Sequence, residues 1–185
     1  MKSLLSLLAA AALTLGGSAF AANWKIDEAH AAAVFYVSHL GVSNTHGRFN
    51  KITGTIVDDA DLSVSVEIET GSVDTNNAKR DQHLRSPDFF DAAQFPKLTF
   101  KSTAATKTGE GTWDVTGDLT LHGVTKSMTI KVVKVGQGKD PWGGTRIGFD
   151  ASFVIKRADF GMNFMPGGIG DDVHITVALE GVQQN

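Results

Sequence analysis

Apolar and polar residues alternate with a period of two along most of this chain, the pattern of a strand with one dry and one wet face. The alternation is clearest where Leu62, Val64, Val66 and Ile68 stand against Ser63, Ser65 and Glu67. Trp113, Val115, Leu119 and Leu121 repeat it against Thr112, Asp114, Thr116, Asp118 and Thr120. Ile147, Phe149, Ala151, Phe153 and Ile155 do so against Arg146, Gly148, Asp150, Ser152 and Lys156. Val173, Ile175, Val177 and Leu179 oppose His174, Thr176, Ala178 and Glu180. Leu98 with Phe100, then Met128, Ile130 and Val132, and the runs Val34–Leu40 and Phe49–Val57 bring the set to about eight strands. One apolar face per strand implies antiparallel pairing.

The punctuation agrees with this reading. Pro87, Pro96, Pro141 and Pro166 fall between the runs, where a missing amide costs no ladder bond. Leu121-His122-Gly123-Val124-Thr125 reads as a tight hairpin with Gly123 at a positive-φ position. Gly54, Gly117 and Gly148 sit inside strands, where glycine marks a bulge or a sharp bend. A sandwich and a closed barrel both satisfy the pattern. Two segments break it. Between Ser72 and Phe100, Asn77 caps a short predicted helix through Arg85, and Ser86-Pro87-Asp88 reads as a second helix start. Between the last two strands, Phe160 to Gly168 is irregular and carries Met162, Phe164 and Met165. No repeat, linker or low-complexity tract is present, which implies one domain.

The N-terminus predicts export. Lys2, the apolar run Leu4–Leu15 and Ala19-Phe20-Ala21 form a leader with its cleavage pattern, and the run falls short of the about 20 residues that span a bilayer. Cleavage after Ala21 removes 21 of 185 residues and leaves residues 22–185, 164 in all, enough for one sizeable core. Without Lys2, 16 Lys and Arg face 20 Asp and Glu, a net charge of −4, with no block of like charges. That excludes the basic face that nucleic acid requires, and electrostatic docking onto an anionic membrane. The chain has no cysteine, which excludes a lipoprotein anchor, a disulfide, a thiol nucleophile and a thiolate metal site.

Catalytic and metal patterns are weak. The histidines at 30, 39, 46, 83, 122 and 174 show none of the close spacings that zinc sites use, so no metal is expected. No Gly-x-Ser-x-Gly elbow occurs, and Asp81, His83, Ser86 and Asp88 share one local segment, whereas triad members approach from separate elements. Asp58-Asp59 and Asp171-Asp172 read as solvated turn residues. The inward-facing side chains carry more information. Val64, Val66, Val115, Val132, Val177, Gly117 and Ala151 are small or medium, and Trp113, Phe149 and Phe153 are fewer, a mixture that leaves room inside a barrel.

Several motifs carry a family resemblance. They are Ser72-Val73-Asp74-Thr75-Asn76, Arg80-Asp81, His83-Leu84-Arg85-Ser86, Asp88-Phe89-Phe90 and Phe95-Pro96. Gly117 to Lys126, Asp140-Pro141-Trp142-Gly143-Gly144 and Glu180-Gly181-Val182-Gln183-Gln184 extend them over nearly the whole exported chain. In this order they resemble the YceI family of periplasmic lipid-binding proteins. The resemblance implies an all-β fold, an extended eight-stranded antiparallel lipocalin-like barrel with a short helical cap. It implies a non-enzymatic carrier whose interior holds a long apolar lipid, a quinone or polyprenyl chain, with no cofactor. It also brings a membrane cytochrome b561-type protein as a partner. The strand residues expected to touch such a chain are Phe100, Trp113, Val115, Leu121, Met128, Phe149, Phe153 and Ile175. Leu84, Phe89 and Phe90 in the cap, with Met162 and Phe164, would line its entrance, and Arg80, His83 and Arg85 are candidates for a polar headgroup. Two alternatives remain open at this point: an enzyme acting on a lipid headgroup at the barrel mouth, and a stress-response scavenger of whatever lipid is present.

Overall fold

The computed structural model describes residues 22–58 and 62–184. The expected leader, its cleavage site and Asp59 lie outside these residues. The chain forms β1 (Ala22–Ile26), β2 (Ala32–His39), β3 (Ser43–Phe49), β4 (Ile52–Asp58), β5 (Ser63–Glu69) and the two-residue β6 (Val73–Asp74). A short helix α1 (Ala78–Leu84) follows, then β7 (Lys97–Gly109), β8 (Thr112–Leu121), β9 (Val124–Lys139), β10 (Thr145–Lys156) and β11 (Ile169–Gln183).

Every strand pairing is antiparallel. The order β1-β4-β5-β7-β8-β9-β10-β11 closes when β11 returns to β1, giving an eight-stranded barrel. β11 is long enough to serve two partners on one edge. Its end pairs with β1 (Gly181 opposite Ile26), and its beginning and middle pair with β2 (Ile169 opposite His39, Ala178 opposite Ala32). β3 lies outside β2, and β6 adds to β3 at Arg48 and Phe49. The barrel is therefore extended on one side.

The run expected as one strand from Phe49 to Val57 is two. The backbone leaves the sheet at Asn50 and Lys51 because the Ser72 hydroxyl accepts from both amides, each at 3.1 Å. Bulges lie between Ser102 and Ala104 opposite Gly117, and at Gly148–Phe149, so two of the three strand glycines stand at ladder irregularities. In the β8–β9 hairpin both His122 (φ 51) and Gly123 (φ 75) are left-handed, as a two-residue hairpin loop requires. A Cβ on Gly123 would stand 2.6 Å from the Phe95 ring, so glycine here also admits the cap.

The helix forms as its cap predicts: the Asn77 side chain accepts from the Arg80 amide, and Arg85 closes the end. The second helix start does not propagate. The amides of Phe89 and Asp91 both bond to the Ser86 carbonyl at 3.0 Å, which folds residues 86–91 into turns.

Apolar packing differs between the barrel ends. At the end holding the β7–β8 hairpin, Trp24, Ile26, Ile56, Leu62, Trp113 and Ile147 pack solidly. At the other, Leu119, Leu121, Ile155, Phe160 and Met162 form a smaller cluster beneath the two irregular segments.

Candidate functional site

Between these packed regions lies a cavity of about 410 Å³, within the roughly 300–1,000 Å³ common for small-molecule sites. Its wall is built by strand alternation. Val64, Val66, Val115, Val132, Ala151 and Val177 line it with short side chains, so the barrel axis is not filled. Phe100, Leu121, Phe149, Phe153 and Ile175 line it as well. Gly117 has a specific part in this wall: a Cβ there would lie 2.5 Å from Cζ of Phe100, so glycine gives the Phe100 ring its place.

The irregular segments form the cover. Leu84, Phe89 and Phe90 come from α1 and the turns after it, and Met162 and Phe164 from the loop before β11. Phe89 and Phe164 lie 5.2 Å apart between ring centroids, so the two covers touch. Two residues expected at the lining stand apart from it. Trp113 is the first inward residue of β8, placed in the solid end, its ring 6.1 Å from that of Phe149. Met128 packs where the two apolar clusters meet.

The three candidate headgroup residues separate. Arg80 and His83 reach the cavity, and Arg85 does not. Arg85 donates to the carbonyls of Gly71 (2.8 Å) and Val73 (3.0 Å), which ties the cap to β6. Arg80 donates through Nε to Thr75 Oγ1 (2.7 Å) and through Nη2 to the Thr75 carbonyl (2.6 Å). Buried Asp81 accepts from the Thr75 amide at 2.8 Å and from its hydroxyl, so α1 is fixed by its first turn. His83 Nε2 meets Asp88 Oδ2 at 2.7 Å, with its ring against Phe89 and Phe164. Asp81 thus faces Thr75, His83 faces Asp88, and the Ser86 hydroxyl accepts from the Asp88 amide at 3.4 Å. The local acid–histidine–serine grouping is not arranged as a relay.

Sequence patterns gave no signal for Arg157, which is buried at the cavity. Its guanidinium donates to the carbonyls of Met162 (2.7 Å), Gly170 (2.9 Å) and Ile169 (3.0 Å). It holds the loop that carries Met162 and Phe164, satisfying carbonyls that burial would otherwise leave unpaired. The acids expected to be simply solvated also have partners. Asp58 pairs with Lys134 (2.9 Å), Asp172 with Lys156 (2.8 Å), and Asp171 accepts from the Ala158 amide (2.9 Å).

Away from the cavity, near the solid end, folding gathers Asp27, His30 and Glu180, whose ligating atoms lie within 4.8 Å of one another. Arg146 already supplies a cation here. It donates to Asp27 (2.7 Å), Glu180 (2.5 Å) and Asp140 (3.0 Å). The Arg146 hydrogen bond, seconded by His30, holds the Asp27 carboxyl down to about 2. This is an ion-pair lock that joins the residue after β1 to β10 and β11.

A YceI-like domain model matches residues 24–181. The chain belongs to the YceI family. It is 47% identical over 189 residues to Protein YceI of Escherichia coli O17:K52:H18, covering 99% of this chain and 98% of that one. It is 46% identical over the same length to a UPF0312 protein of Pseudomonas savastanoi pv. phaseolicola, with the same coverage. Among solved structures, the Campylobacter jejuni YceI protein is 31% identical with a TM-score of 0.73, over 80% of this chain and 90% of that one. A polyisoprenoid binding domain from Saccharophagus degradans shares the fold at 18% identity and a TM-score of 0.68, over 89% of this chain and all of that domain.

Proposed function

We propose that this YceI-family protein is a non-catalytic carrier or sequestering protein for one long apolar lipid, with a polyisoprenoid as the ligand class. The observation that carries the reading is the cavity. It has a solid floor, a wall of medium aliphatic and aromatic side chains, and a cover of aromatic and methionine residues that can adapt to a flexible chain. Binding is burial. Each methylene removed from water contributes about 0.8 kcal/mol, so roughly ten such groups offset the cost of ordering ligand and cover. The isoprenoid class is supported by a fold neighbour described as a polyisoprenoid binding domain. Arg80 and His83, the cationic or ionisable candidates at the lining, would meet a polar end that remains near the cover. The leader-like N-terminus supports export to the periplasm, with cleavage after Ala21. Organic extraction of protein purified from its native host, followed by mass spectrometry, tests the reading. A stoichiometric apolar lipid is expected; extracts without lipid from folded protein would overturn it. Intact mass of the same sample tests cleavage, since a chain still carrying Met1 contradicts export by this route.

A further inference from the structure

Two loops stand beside the cavity cover: the β2–β3 hairpin, residues 39–43 (HLGVS), and residues 161–168 (GMNFMPGG) before β11. Neither contains an Asp, Glu, Lys or Arg. Together they expose Leu40 (53%), Val42 (81%), Phe164 (37%) and Met165 (44%). Leu40 (φ 54) and Met165 (φ 51) hold left-handed backbone conformations, where glycine or asparagine would be the unstrained choice. The loops are joined by a bond from the Leu40 amide to the Gly168 carbonyl at 2.7 Å, and Met165 accepts from the amides of Gly168 and Ile169. Local structure therefore fixes large apolar side chains at the two tips against both solvation and backbone preference. Phe164, Met165 and His39 also line the cavity, so the exposed apolar surface runs on into its wall.

We infer that these loops form a docking surface for a lipid bilayer, with Leu40, Val42, Phe164 and Met165 entering the boundary between headgroups and acyl chains. The inference rests on the carrier reading, because a lipid passing between bilayer and cavity needs a path that avoids water. Charge selects the hydrocarbon boundary over the anionic surface: the loops carry none, and the chain without its leader is net acidic. Area argues against a second copy. Four partly exposed side chains fall well short of the about 800 Å² per partner in a stable interface.

The test is flotation of the wild type with phosphatidylcholine vesicles, beside Leu40→Asn/Val42→Ser and the control Val135→Ser. Asparagine keeps the left-handed position at 40 while removing the apolar tip, and Val135 is exposed (67%) on β9, outside both loops. Wild type and control should float equally, and the double variant at least about tenfold less, at an unchanged melting temperature. Added phosphatidylglycerol or high salt should change neither result. Failure of the wild type to float, equal flotation of the double variant, or binding that requires phosphatidylglycerol at low salt would each overturn the docking surface. So would concentration-dependent dimers of the wild type that the double variant abolishes. Native mass spectrometry of the same samples separates the two readings. Bound lipid in a wild type that does not float refutes docking alone, and flotation by a protein that never takes up lipid refutes the carrier reading alone.

Discussion

At one end of the barrel Trp24, Leu62, Trp113 and Ile147 are buried in one apolar cluster and stand outside the cavity lining, and Arg146 binds three carboxylates from different parts of the chain. Toward the other end the same alternation presents Val66 on β5, Val115 on β8, Ala151 on β10 and Val177 on β11, and the axis stays open beneath a cover of turns. The alternation decides which side chains face inward, and their volume decides whether the interior is core or cavity. Stability therefore concentrates in one half and ligand capacity in the other.

Trp113→Ala attacks the solid half most directly. It should cost about 3–5 kcal/mol in denaturant titration while leaving the lipid content of the remaining folded protein unchanged. A loss under about 1 kcal/mol, or selective loss of lipid, would break the division of roles. Arg146→Met should also destabilise the fold, by less than Trp113→Ala, since several charge-assisted hydrogen bonds are lost at a site only partly shielded from water. The same variant sharpens the electrostatic account. Asp27 is held to about 2, below its ordinary 3.8. Its pair with Arg146 therefore stabilises the fold fully above the ordinary value and is lost as pH falls toward 2. Acid titration of stability should show this loss in the wild type and a flatter profile in Arg146→Met; parallel profiles would remove Asp27 from the account.

The strongest strands were legible because each buries one face, as β5, β8, β10 and β11 do. Most of the expected lining follows from the same alternation, and α1 was legible from its Asn77 cap. β3 was not, since Ser43-Asn44-Thr45-His46-Gly47-Arg48 is largely polar and exposed and its place is set by pairing with β2. The position of the solid end was also hidden. Trp113 and Val115 are equivalent in pattern, and only strand stagger puts the first in the floor and the second at the cavity. Arg157 and the Arg146 lock could not be read from spacing. Arg146 and Asp27 are 119 residues apart, and the partners of Arg157 are backbone carbonyls, which have no sequence signature.

The smallest stability effects are expected where the cavity is filled. Val115→Phe and Ala151→Leu place bulk into open space, so each should change stability by less than about 1 kcal/mol, whereas overpacking a filled core costs typically 1–3 kcal/mol. Outward changes on the same strands, Thr116→Val and Ser152→Thr, should alter neither stability nor load. Native mass spectrometry of wild type, Val115→Phe and Ala151→Leu from the native host, read beside their melting temperatures, tests the central claim most directly. The account predicts a lipid-loaded wild type and two stable variants that have lost most of the load. A wild type that never carries lipid, with both variants destabilised, would contradict it.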